Sequence, residues 1–261
     1  MPTPFPTLFV SHGAPTLIIE NSPGRDFLAG LGERLGRPSA VLTVSAHWMT
    51  AAPMIGSAAR PQTVHDFHGF PPELYAMRYP APGAPELAER ALGLMRDAGI
   101  AGSAAPEQGL DHGAWVPLKL MYPQADIPVT QLSVQPRRSA ADHIALGRAL
   151  APLRDEGVLI LASGGAVHNL HDFRFGSTKA AAWADAFARW LDETLTAGDV
   201  DSIAHWKERC PEARLAHPSD EHFLPLPVAL GAAGPAPRAE RLHTGFEHGS
   251  IGMQAYAFHG A

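Results

Sequence analysis

Fourteen histidines occur among the 261 residues, and three stand directly behind apolar, strand-like runs. These are His12 in LFVSHG, His47 in LTVSAHW and His168 in LILASGGAVHN. His112 lies in LDHGAW, where Gly113 and the run behind it suggest a tight turn. His222 lies in SDEHFLPL, which reads as the first turn of a helix capped by Ser219 or Asp220. Neutral imidazole is a ligand for Zn, Cu, Fe and Ni. With a single cysteine in the chain, there is no cysteine pair to build a structural zinc site. Two or three histidines, with or without one carboxylate and with open coordination positions, are the pattern of a catalytic metal. A lone histidine in a loop is more often a cap or a surface residue. Five at the ends of strands and helices make a shared site a real alternative, and the pattern alone stops there.

Something must carry these histidines to one place. Thr7 to Val10, Ala40 to Ser45, Val129 to Val134 and Val158 to Ala162 are rich in Val, Ile, Leu and Thr and bounded by Gly, Pro or polar residues, as strands are. Between them, 84–97 and 140–154 carry apolar residues at helical spacing and end near Gly99 and Gly157. Residues 179–195 read as a third amphipathic helix, with Trp183, Phe187 and Trp190 on one side. Such alternation predicts an α/β fold: a single domain over 1–261 with a central, mostly parallel or mixed sheet flanked by helices. In such sheets ligands bind outside the carboxyl ends of the strands, where His12, His47 and His168 would meet. Pro61 to Pro85 reads as a long ordered excursion because aromatics interrupt it. Gly231 to Arg238 reads as a surface loop before a last strand near Ile251 to Phe258.

Bulk composition narrows the classes. Hydrophobic residues at 46% and charged residues at 18% are ordinary for a soluble domain. A net charge of -6 argues against a nucleic-acid partner, which needs clustered Lys and Arg. No apolar stretch approaches the roughly 20 residues of a membrane span. The opening MPTPFPTLFVSHG has no basic region or cleavage site, so no secretory leader is expected, and one cysteine, Cys210, fits a reducing cytoplasm.

The ordered motifs SHGAP, SAHW, HDFHGFP, YPAPG, DHGAWVPL, QLSV, SGGAVHNL and EHFLPL span nearly the whole chain. In them the sequence resembles the LigB-type extradiol ring-cleavage dioxygenases, most closely the bacterial branch named for 4,5-DOPA dioxygenase. The resemblance implies a non-haem Fe(II) enzyme that opens a catechol ring with O2 to a muconic semialdehyde-type product. The catechol is DOPA or another substituted catechol. His12 and His47 match the two metal-binding histidines of that superfamily. Its better-known members take a glutamate near the C-terminal end as third ligand, and here Glu221 and His222 compete. The DOPA-type branch favours His222, and an all-histidine site would also hold zinc. His168 matches the general acid and base, and His112 a second catalytic histidine that positions the catechol or oxygen.

His65 and His68 are expected in a loop over the site, touching substrate, and His171 beside the ligands. His143, His205, His217, His243, His248 and His259 are read as solvated or on helix surfaces. Trp48 and Phe70 are read as packing residues, Arg137 and Arg138 as a solvated turn. Two other classes remain in view: a zinc hydrolase or amidase using the same histidines on water, and a non-enzymatic binding protein on the same fold.

Overall fold

The computed structural model describes residues 4–260. Its strands in chain order are β1 (Thr7–Ser11), β2 (Ala40–Met49), β3 (Met54–Gly56), β4 (Ser103–Ala105), β5 (Val129–Val134), β6 (Val158–Gly164), β7 (Val167–His168), β8 (Arg238–His243), β9 (Phe246–Glu247), β10 (Ile251–Gly252) and β11 (Ala255–His259). The helices are α1 (Pro23–Leu35), α2 (Pro72–Ala76), α3 (Pro85–Asp97), α4 (His112–Met121), α5 (Ala140–Leu150), α6 (Ala182–Thr196), the short α7 (Val200–Ala204), α8 (Trp206–Arg209) and α9 (Ala213–Ala216), and α10 (Pro225–Ala232).

Eight strands form one mixed sheet in the order β4-β3-β5-β2-β6-β1-β11-β8. Its centre, β5-β2-β6-β1, is parallel, and the outer pairings β3 with β5, β1 with β11 and β11 with β8 are antiparallel. The central strands are near-continuous runs of Val, Leu and Ile because both faces are covered. Side chains alternate between the faces. Leu8, Val10, Val41, Leu159 and Leu161 pack with Leu28 and Leu31 of α1 and Trp115 and Leu118 of α4. Phe9, Leu42, Val44, Ile160 and Ala162 pack with Ile144 of α5, Phe187 of α6 and Val228 of α10. Each such fully buried side chain contributes about 1.5–3 kcal/mol relative to exposure. The sheet is therefore a rigid floor for whatever its carboxyl edge carries.

β2 runs on to Met49 and β6 to Gly164, beyond the sequence reading, α6 spans Ala182–Thr196, and three further differences have a local cause. The run 140–154 is two elements, because Pro152 lacks an N–H and ends α5 at Leu150, leaving a 3-10 turn over Ala151–Glu156. Gly231 does not open a loop: it lies in α10, where a Cβ would sit 2.1 Å from the carbonyl oxygen of Ile144, so its bareness lets α10 press onto α5. The last strand is split, with β10 in a small antiparallel sheet β7-β10-β9 and β11 in the large one. The Pro-rich excursion is ordered as expected. It bridges to the body at Thr63 with Leu110 and Gly83 with Val129, and Trp115 Nε1–H donates to the Val64 carbonyl at 3.0 Å.

Candidate metal centre

The parallel strands end on one edge, and the histidines start there. His12 is the first residue after β1; its backbone N–H donates to the Gly164 carbonyl at 3.0 Å, which ties it to the end of β6. His47 lies where β2 loses register with β5 between Val44 and Met49, an irregularity that re-aims side chains. Its own N–H donates to Ser45 Oγ at 3.2 Å. His222 is not in a helix's first turn as expected, but in the turn before α10. Its carbonyl accepts from Gly165 N–H at 2.9 Å. A Cβ on Gly164 would lie 2.2 Å from that carbonyl oxygen. The glycine pair of SGGAVHN thus serves the approach of the His222 turn.

His12 Nε2 and His47 Nε2 are 3.0 Å apart, and His47 Nε2 and His222 Nε2 are 3.3 Å apart. One donor atom from each of the three falls within 4.8 Å of the others. The opposite ring nitrogens fix the tautomers. Ser163 donates its hydroxyl to the Gly113 carbonyl, so at 3.0 Å it accepts from His12 Nδ1–H. His47 Nδ1–H faces the Asp66 carboxylate at 3.3 Å, and His222 Nδ1–H donates to Glu221 Oε1 at 3.0 Å. Each neutral ring then carries its lone pair on Nε2, and three lone pairs point at one another. Nothing among the described residues relieves that repulsion. A cation does, and partners on the far nitrogen are the usual way such ligands are oriented.

Protonation cannot easily substitute for it. Burial, followed by the surrounding imidazoles, pushes His12 and His222 well below the ordinary histidine range and holds His47 at about 3. These rings are neutral near neutral pH, the form that ligates. Borderline nitrogen donors with no thiolate suit Fe(II) or Zn(II).

His112 opens α4 rather than a free turn. Buried Asp111 caps that helix, accepting from Ala114 N–H at 3.2 Å and Ser45 Oγ–H at 2.6 Å, and from Gln131 Nε2–H. Asp66 then clamps His112, accepting from its N–H and from Nδ1–H, each at 2.9 Å. Although burial opposes its charge, the hydrogen bonds from His112 and the nearby His47 hold Asp66 at about 2. The His112 ring lies 3.9 Å from that of His47, centroid to centroid. His168 ends β7 and stacks on His222 with centroids 3.5 Å apart. Burial lowers it to about 4.

All five rings except His12 line one cavity of about 970 Å³, with aromatic walls from Phe67, Phe70, Phe173 and Phe175. His171 lines it too, and so does Phe70, read from sequence as packing. His65 and His68 do not. His65 Nε2–H donates to the Met77 carbonyl at 3.1 Å and its ring lies against Trp115, while His68 is exposed. The loop delivers the two residues between them instead: Asp66 hydrogen-bonds His112, and Phe67 lines the cavity with its ring 5.7 Å from that of His112. His143, His217 and His248 are buried, not solvated. His143 accepts from Gln135 N–H at 3.1 Å, and His217 Nε2–H donates to the Ala166 carbonyl at 3.0 Å. Asp66, Asp111 and Ser163 were missed in sequence. HDFHGFP and DHGAW did carry the two carboxylates beside histidines, which was the available signal.

The chain belongs to the LigB family, described as the catalytic LigB subunit of aromatic ring-opening dioxygenase and matched over residues 6–259, and it is an extradiol dioxygenase. It is 45% identical over 256 residues to a 4,5-DOPA dioxygenase extradiol of Beta vulgaris, covering 97% of this chain and 96% of that one. A protein of the same name from Escherichia coli (strain K12) is 40% identical over 257 residues, covering 96% and 93%. Among solved structures, an uncharacterized protein from Escherichia coli K12 superposes with a TM-score of 0.82 at 36% identity, covering 97% and 99%. The hydrolase and binding-protein alternatives gain no support. No helix of the described residues is long and apolar enough to cross a membrane.

Proposed function

We propose that His12, His47 and His222 hold Fe(II), and that the enzyme opens a substituted catechol with O2 beside its hydroxyl pair to a muconic semialdehyde-type product. The convergence of three Nε2 lone pairs under the aromatic cavity carries this reading. A redox-active divalent ion at that point supplies Lewis acidity and the electron transfer between catechol and O2 that zinc cannot. Zinc remains a metal the purified protein can carry, since the donors suit both. Glu221 orients His222 through Nδ1 and stands outside the ligand set.

The protein's own part is orientation and proton transfer. His168, neutral and facing the cavity, takes a proton from a catechol hydroxyl and returns it to the oxygen released as the ring opens. His112 gives Nδ1–H to Asp66, which leaves Nε2 as an acceptor held in place for a hydroxyl. Phe67 and Phe70 exclude water and flank the ring. DOPA heads the candidate substrates because the relatives above bear its name. The single, buried Cys210 suits a reducing cytoplasm.

The test is anaerobic reconstitution with Fe(II) or Zn(II), followed by exposure to isotope-labelled O2 with a panel of catechols. Fe(II)-loaded protein should consume O2 and place both labelled atoms in a ring-opened product, and the zinc form should not. Hydrolysis of an ester or amide by the zinc form, without O2 uptake by the iron form, would overturn the reading.

A further inference from the structure

The cavity over the histidines has an acidic lining. Among its described lining residues there is no lysine or arginine, and the carboxylates on it are Glu20 and Glu221. Glu221 is engaged, accepting from His222 Nδ1–H at 3.0 Å and Ser219 Oγ–H at 2.9 Å. Glu20 is half-buried, and its carboxylate has no hydrogen-bond or ion-pair partner among the described residues. Behind it, within 4.8 Å, stand a carboxylate oxygen of Glu247 and a ring nitrogen of His248. Glu247 Oε1 is buried without a hydrogen-bond partner. Burial pushes the Glu247 carboxyl above its ordinary range, and Glu20 adds to the effect. Two carboxylates this close repel, and a cation beside them removes the conflict.

Gly13, Ala14, Pro15, Thr16, Ile19 and Glu20 form one wall of the cavity, starting beside His12, and Glu20 follows the 3-10 turn Pro15–Ile18 on that wall.

Building on the ring-opening reading, we propose that Glu20 is a specificity-determining residue, which pairs with a protonated amine on the tail of the catechol, such as the one DOPA carries, and disfavours a tail whose sole charge is a carboxylate. A carboxylate tail would enter a wall of like charge with no lining cation to meet it. An ammonium gains charge-assisted hydrogen bonds to Glu20, with Glu247 adding to the negative potential.

The experiment compares anaerobic binding of three catechols to Fe(II)-loaded protein: 3,4-dihydroxyphenethylamine, 4-ethylcatechol and 3-(3,4-dihydroxyphenyl)propionate. Oxygen uptake is recorded separately on the same samples. The amine should bind roughly ten- to a hundredfold more tightly than the carboxylate, the range of a charge-assisted pair at a partly buried site. In Glu20→Gln the ratio of amine to neutral affinity should fall about tenfold, and Glu20→Lys should shift preference toward the carboxylate. Equal affinities in the native protein, or a preference that survives both substitutions, would overturn the assignment. Because the native panel alone can refute it, misfolding of a variant leaves it exposed to test. Amine-selective binding without oxygen uptake would support the subsite while sinking the ring-opening reading.

Discussion

Replacing Asp66 with Asn probes how the proposed metal site is held together without touching any of the three proposed ligands. Asp66 accepts two hydrogen bonds, from His112 N–H to Oδ1 and from His112 Nδ1–H to Oδ2, at 2.9 Å each, and its Oδ2 also faces His47 Nδ1 at 3.3 Å. An amide offers one oxygen and an NH2 group, so either the His112 backbone N–H at Oδ1 or the two ring nitrogens at Oδ2 would face a donor. Because a backbone N–H cannot shift its proton, the NH2 settles toward the rings. The His47 ring would escape by moving its proton to Nε2, which removes the lone pair proposed to bind the metal, or by rotating. Loss of such an orienting partner typically costs 10- to 100-fold in metal affinity, about 1.4–2.7 kcal/mol at about 1.36 kcal/mol per decade. A competition titration of Fe(II) or Zn(II) against a chromophoric chelator reads this directly, with circular dichroism confirming the fold. An affinity within twofold of the native protein would refute the reasoning that Asp66 fixes the His47 tautomer.

Three other outcomes follow. His168→Ala should keep its metal and bind catechol while losing roughly 10²–10⁴-fold in turnover, measured by oxygen uptake; metal loss would make His168 a ligand instead. Gly164→Ala places a Cβ 2.2 Å from the His222 carbonyl, so it should lower thermal stability by about 1–3 kcal/mol and weaken metal binding together. An unperturbed variant would show that the His222 turn can move freely. His217 is buried and lowered to about 3, mainly by burial. Below the unfolded value of about 6.5, the unfolded chain takes up a proton that folded His217 refuses. The stability it contributes is therefore complete above pH 6.5 and lost as pH falls toward 3, at up to about 1.4 kcal/mol per unit. His217→Phe, among the rings of Phe187, Trp206 and Phe223, should make acid unfolding of the metal-free protein shallower; an unchanged transition would remove His217 as a contributor.

The central strands were legible because burial on both faces turns them into unbroken apolar runs, and β5 spans Val129–Val134 as read. The outer strand β8, with the sequence RAERLH, was not legible, because a half-exposed edge strand carries charge and loses the apolar signal. Three-residue β3 and β4 are too short to show a period. In the site, histidines at strand ends were visible since a polar residue closing an apolar run stands out. Asp66 and Asp111 were hidden because a carboxylate beside a histidine in a loop looks solvated until the fold closes over it. His143 and His217 were misread for the complementary reason. Their burial comes from distant parts of the chain, with His217 bonded to the carbonyl of Ala166 and packed on Phe187 and Trp206.

The most direct test of the account is metal stoichiometry after anaerobic Fe(II) loading of the native chain and of His12→Ala, His47→Ala, His222→Ala and Glu221→Ala. The native chain should hold one iron, the three histidine variants should hold little, and Glu221→Ala should keep most of it with weakened affinity. Full occupancy in His222→Ala alongside an empty Glu221→Ala would contradict the all-histidine site and restore a two-histidine, one-carboxylate centre.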